Sequence, residues 1–173
     1  MNGELLRAAV TGVYETAHTL GWRYGNSETL PPCADGIISC DRGAVSRPLW
    51  ILGYHDQQQG GESVGTLDSW LVSHGFRRSY STDDIRRNSI VLMRHVSQPV
   101  PDWRGHAFFV ADRYGDYVSK YDFGDQWRIE ADQPFHAPIN EWPGKYEFYA
   151  VYWWPEDIED EPPEEGIYLK VGD

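Results

Sequence analysis

Cysteine and methionine are both scarce, with two of each among 173 residues. Two cysteines do not make a disulfide scaffold. No CxxC, HxxxH or HExxH spacing is present, so the pattern calls for no metal, and the mixed set Cys33, Asp35, Cys40 and His106 is a poor zinc signature. A glycine-rich phosphate loop is also missing, and no motif asks for a cofactor. No apolar run is long enough to cross a bilayer, so a membrane is not an expected partner. The first residues, Met1-Asn2-Gly3-Glu4-Leu5-Leu6, lack the basic start and apolar core of a signal peptide. The expectation is a chain that is cytoplasmic in its producing cell, leaves by a non-standard route, or is one domain of something longer. Positive charge is short as well. Fifteen Lys and Arg against 27 Asp and Glu leave a formal charge of −12 and a pI near 4.8. Such a surface repels phosphate backbones, which argues against nucleic acid as a partner.

What is present is enough to fold. Forty per cent hydrophobic and 14% aromatic residues support a packed core. Residues 1–154 read as one domain. Residues 155–173 contain Glu156-Asp157-Ile158-Glu159-Asp160-Glu161-Pro162-Pro163-Glu164-Glu165, and read as an acidic, solvated tail or linker.

Leu5, Leu6, Ala9, Val10, Val13, Tyr14, Ala17 and Leu20 recur at helical spacing and predict an amphipathic helix that stops near Gly21. Trp22 to Ser27 reads as a loop leading to Pro31-Pro32. Ser39 is a candidate N-cap, placing Cys40 in the first turn of a second helix that Pro48 must kink or restart. Thr66 is a candidate cap for a short helix from Leu67 to His74, closed by Gly75. Strand patterns follow at Ile90–Met93, His106–Ala111, Tyr117–Asp122, from Arg128, and at Tyr146–Trp153. Helices first and antiparallel strands afterwards is the α+β class.

The chemistry-bearing groups are few. A thiol at a helix start feels the positive end of the helix dipole and unpaired backbone N–H groups, which favour thiolate. Cys40 is thus a candidate nucleophile, although unpaired cysteines more often simply pack. A thiolate nucleophile needs a base. Among six histidines, His106 differs by opening an apolar strand after Arg104-Gly105. Asp122, on the returning strand, is a candidate to orient the imidazole, or else makes a turn with Gly124 and Asp125.

The order of these features resembles the NlpC/P60-type cysteine peptidases, within the papain-like group that includes the CHAP amidases. The residues that carry the resemblance are Tyr24-Gly25, Pro31-Pro32, Ser39-Cys40-Asp41-Arg42-Gly43-Ala44-Val45, Ile85-Arg86-Arg87-Asn88-Ser89-Ile90-Val91-Leu92, and Gly105-His106-Ala107-Phe108-Phe109-Val110. Asn88-Ser89 stands where the family usually has Gly-Asp. Ser39-Cys40-Asp41-Arg42 stands where it usually has Asp-Cys-Ser-Gly, and Cys33-Ala34-Asp35-Gly36 is a competing alignment for the same motif.

The resemblance implies a papain-like fold, with N-terminal helices packed on a C-terminal antiparallel sheet. It also implies a hydrolase that cuts amide bonds in the stem peptides of bacterial peptidoglycan, as an endopeptidase or amidase. Cys40 would attack, His106 would move the proton and Asp122 would hold the ring. Tyr24 and Asp41 would support substrate and oxyanion, and no metal or cofactor would take part. An endolysin-like, phage-associated setting suits a chain without a leader. Two other readings stand beside it. One is a binding module whose Trp22, Trp50, Trp103, Trp127 and Trp142 stack sugar rings. The other is a papain-like domain that has lost catalysis.

Overall fold

A computed structural model describes residues 1–24, 37–40, 42–55, 63–102, 104–121, 129–134, 139–141 and 144–156. Helix α1 spans Gly3–Thr19. The Asn2 side chain accepts the Leu5 N–H at 2.9 Å and so satisfies one of the helix's unpaired donors. Leu6, Ala9, Val10, Val13 and Ala17 form the buried stripe, and the chain turns away at Gly21, with φ of 66°. Leu5 and Leu20 are corrections to the expected stripe, being 51% and 65% exposed. Leu5 sits beside Leu6 but a quarter-turn round the helix, and Leu20 is the C-cap residue.

The segment expected as loop after α1 contains strand β1 (Arg23–Tyr24), which pairs in parallel with β2 (Ile37–Ile38). Beyond β2 the Ser39 carbonyl accepts the Gly43 N–H at 2.8 Å, so Cys40 does begin a helical path. That path runs as a π turn over Arg42–Ser46 and restarts as α2 (Arg47–Ile51). Pro48 lies in the first turn of α2, where its missing N–H breaks no bond. Helix α3 covers Val64–Ser73, with Ser63 rather than Thr66 at its cap position. It ends at Gly75, whose φ is 99°.

The remaining strands are β3 (Arg77–Ser79), β4 (Ile90–His95), β5 (His106–Tyr114), β6 (Tyr117–Tyr121), β7 (Ile129–Pro134), β8 (Ile139–Glu141) and β9 (Gly144–Trp153). They form one seven-stranded antiparallel sheet in the order β3-β9-β4-β5-β6-β7, with β8 paired to β9. The class is α+β. Strand β3 and the short β8 carry no clear alternating pattern, which is why sequence reading passed over them.

The pleat divides the core. Ile90, Leu92, Ala107, Phe109, Ala111, Tyr121, Ala150 and Tyr152 pack with α1, α2 and α3 on one face. Val91, Met93, Phe108, Val110, Val118, Tyr146, Val151 and Trp153 form a second cluster on the other. Alternate residues of one strand must point to opposite faces, and β5 obeys this from Ala107 to Ala111.

Polar ties fix α1 to the sheet. Asn88 Nδ2 donates to Glu4 Oε1 at 2.8 Å, Arg87 pairs with Glu4 at 3.0 Å, and Thr11 and Tyr121 share a hydroxyl–hydroxyl bond of 2.7 Å. The hydrogen bond from Arg87, followed by that from Asn88, holds the Glu4 carboxyl below its ordinary pKa. Asn88 has a φ of 65°, the left-handed region that Gly takes freely and Asn tolerates. Its N–H donates to Val110 O at 3.0 Å, locking the corner onto β5.

The approach to β5 is equally tight. A Cβ at Gly105 would lie 2.5 Å from Val64 Cγ1 and 3.1 Å from two backbone oxygens. Overpacking of this kind destabilises by about 1–3 kcal/mol. Gly105→Ala is therefore expected to lower the thermal midpoint by several degrees. An unchanged midpoint in calorimetry would show that α3 and β5 are not in contact as described.

Candidate active site

Cys40 follows the short parallel pair and opens the helical path. Its thiol is 5% exposed and packs in the cluster between helices and sheet, together with Ile38, Ala44 and Val45. The π turn that follows lies against β5, the strand that His106 opens. Thiol and imidazole thus belong to neighbouring elements, in the order expected.

Their side chains part company at the sheet. His106 pairs across to Met93, and its ring neighbours are Phe108 at 6.1 Å and Tyr146 at 6.4 Å, both on the face away from the helices. Ala107, one residue on, faces the helices with Cys40. No hydrogen bond joins Cys40 to His106 among the described residues. The expectation of a thiol and imidazole held in contact is corrected here, and the reason is strand parity: an odd-numbered offset from the helix-facing set sends His106 to the opposite side.

His106 is half-buried beside Phe108 and Tyr146. Burial, and secondarily the Lys120 ammonium, push its pKa down from 6.5 to about 3. The imidazole is neutral at pH 7, and burial makes it a weak proton acceptor where it stands. Lys120 is buried and holds its Nζ 4.8 Å from the centre of the Phe108 ring, on the same face as His106.

Asp122, Asp41 and Cys33 lie outside the described residues. Tyr24 is placed by its backbone in β1. Of the tryptophans considered as a sugar platform, Trp22 is buried under the Arg47 guanidinium at 4.5 Å, while Trp50 is exposed. Trp103, Trp127 and Trp142 lie outside the described residues. The other described histidines are used in packing: His55 and His74 stack on either side of Trp70 at 4.7 Å and 4.0 Å, His18 stacks on Tyr14, and His95 meets Tyr146 edge-on. Among the described residues, no three His, Cys, Asp or Glu side chains converge as metal ligands, and no helix is long and apolar enough to cross a membrane.

No family model, no curated protein and no solved structure matches the chain. Function must be argued from the side chains themselves.

Two of those were not singled out by sequence reading. Arg42 is 4% exposed, and among the described residues its Nε and Nη1 have no hydrogen-bond partner; Ser46, fully buried, has an Oγ with none there either. A buried donor left without an acceptor costs about 1–3 kcal/mol. The only sequence signal was the position of Arg42 next to the apolar run Gly43-Ala44-Val45.

The His106 shift has a consequence for stability. Its folded pKa lies below the unfolded value, so the folded state resists the proton that the unfolded chain accepts. The stabilisation is complete above pH 6.5 and is lost as pH falls from 6.5 toward about 3. His106→Gln should flatten the stability curve across that window, measured by urea unfolding at a series of pH values. A variant curve as steep as wild type would mean that the ring is solvated.

Proposed function

We propose that the chain is a cysteine hydrolase with a papain-like fold, cutting amide bonds in the stem peptides of bacterial peptidoglycan. Cys40 is the nucleophile and His106 the base. One observation carries the proposal: Cys40 starts a helical path laid against the strand that His106 opens. The left-handed Asn88 adds support, because it stands where the resembled family has glycine and adopts a glycine-like conformation. The α+β order of helices before an antiparallel sheet agrees with the same reading.

In the reaction the thiolate attacks the scissile carbonyl, and N–H groups at the start of the helical path receive the developing oxyanion. The imidazole takes the thiol proton and returns it to the leaving amine, releasing it and leaving an acyl-thioester that water then cleaves. Catalytic contacts that are open in a free enzyme close in the substrate complex. No metal or cofactor takes part. The chain is made in the cytoplasm or carried by a phage, and acts on the wall.

A second reading, a domain of the same fold that no longer catalyses, is favoured by the placement of Cys40 and His106 on opposite faces of the sheet.

Digestion of purified peptidoglycan, followed by mass spectrometry of the fragments, separates the two. Wild type should release stem-peptide fragments. Cys40→Ala and His106→Ala should each abolish release almost completely, because the two groups act as a unit. Equal turnover by wild type and Cys40→Ala would refute the nucleophile. The thiol itself gives an independent check. A catalytic Cys40 should be alkylated well below the ordinary thiol pKa of about 8.5. A thiol inert until the chain unfolds, with no fragments released, would establish the second reading.

A further inference from the structure

We propose that the chain's own acidic run, residues 157–165, docks back on the edge of its sheet, on a clasp formed by Arg77, Arg86 and the indole of Trp153. The clasp is independent of the hydrolase reading.

Trp153 closes β9 and lies directly across from Arg77, the first residue of β3. Residues paired in this way share a face, with Cβ atoms about 4.5–5.5 Å apart. Ahead of β4, the Arg86 guanidinium stacks 4.4 Å over the same indole. Trp153 is 7% exposed, and its Nε1 has no hydrogen-bond partner among the described residues. Arg77 is exposed and makes no ion pair among them. Its neighbour Arg78 faces the other way and is taken by Asp68 at 3.1 Å. The acid on the Trp153 side is Asp84, which accepts from Ser79 and pairs with Arg86 at 3.6 Å. Asp83 and Arg113, at the next turn, offset one another. Two guanidinium groups against one carboxylate make a positive spot on a chain whose formal charge is −12. The indole N–H adds a donor to that spot, and an anionic oxygen satisfies donor and charge together.

The chain carries such oxygens close by. Asp157, Glu159, Asp160, Glu161, Glu164 and Glu165 follow Trp153 within twelve residues, with no Lys or Arg among them. An extended chain covers about 3.3–3.6 Å per residue, so Asp157 can stand about 13 Å from Trp153. The gap across one strand pair is only about 5 Å. Glu156 already shows the pattern on the helix-facing side, where its carboxylate accepts the Trp154 indole N–H. The chain therefore turns back on the strand end at the first acid of the run. A short tether holds the following carboxylates at millimolar local concentration, which a partner in solution must outcompete. Among the described residues β3 has a neighbouring strand on one side only. An acidic segment laid beside it shields that edge from pairing with another chain.

The test uses the full chain, labelled with nitrogen-15 and followed by NMR at low salt. The readouts are the Trp153 Nε1–H signal and the backbone order parameters of residues 157–161. Wild type should show order parameters of about 0.8 there, falling below about 0.6 when the contact is broken. Three changes should break it: Arg77→Gln; the joint replacement Asp157→Asn, Glu159→Gln, Asp160→Asn and Glu161→Gln; and 1 M salt, where the Debye length is about 3 Å. Arg77→Gln and the neutralised run should move the Trp153 signal the same way, and together no further than the larger of the two. Arg23→Gln, which removes an exposed charge elsewhere, should leave both readouts as in wild type. Wild-type order parameters below about 0.6, a Trp153 signal unmoved by the neutralised run, or an equal response to Arg23→Gln would overturn the clasp. Readouts that vary with protein concentration would assign the contact to a second copy and overturn docking within one chain. Peptidoglycan turnover enters none of these readouts, so failure here leaves the hydrolase reading untouched.

Discussion

The pleat of β5 is the constraint on which the arrangement of groups depends. A strand in the middle of an antiparallel sheet has no freedom to choose its faces one residue at a time. Once Ala107, Phe109 and Ala111 are committed to the helices, His106, Phe108 and Val110 are committed to the opposite side. The commitment is strong because Phe109 and Val110 are both fully buried, one on each face. Slipping the register by one residue would reverse both and expose each to the wrong surroundings. The surroundings of the imidazole follow from this, and so does its neutral state.

The same sheet organises the helical half. Helix α1 is held by its apolar stripe and by a polar corner in which Glu4 meets both Arg87 and Asn88. The ion pair is exposed and contributes little by itself. What gives the corner its geometry is the left-handed Asn88, whose backbone bonds to β5 while its side chain bonds to α1. At the far end, Gly105 lets α3 approach the beginning of β5 so closely that no side chain fits between. The strand bearing His106 is therefore positioned at its start and at its middle by residues suited to their backbone shape. On the other side of α3, Asp68 receives Arg78 and the Tyr152 hydroxyl; burial first, and this bond second, hold the Tyr152 phenol far above its ordinary pKa.

The π turn stands apart from this economy. Buried polar groups such as Ser89 and Asn88 are matched by neighbours, while among the described residues Trp153 Nε1, in the other core cluster, is not. Arg42 Nε and Nη1 and Ser46 Oγ have no hydrogen-bond partner among the described residues.

Much of the architecture could be read from the chain. The 3.6-residue recurrence from Leu6 to Ala17 marked α1, the restart at Pro48 followed from its missing N–H, and the apolar alternation from Ile90 to Trp153 marked the main strands. These are local properties, carried by neighbouring residues and backbone chemistry. The faces were not readable. His106 and Ala107 look equally able to meet Cys40 in one dimension, and only pairing with Met93 and packing against α1 to α3 chose between them. Arg42 reads as an ordinary cation until its surroundings are known. Periodicity is written along the backbone, whereas orientation and solvation are decided by residues far away in sequence.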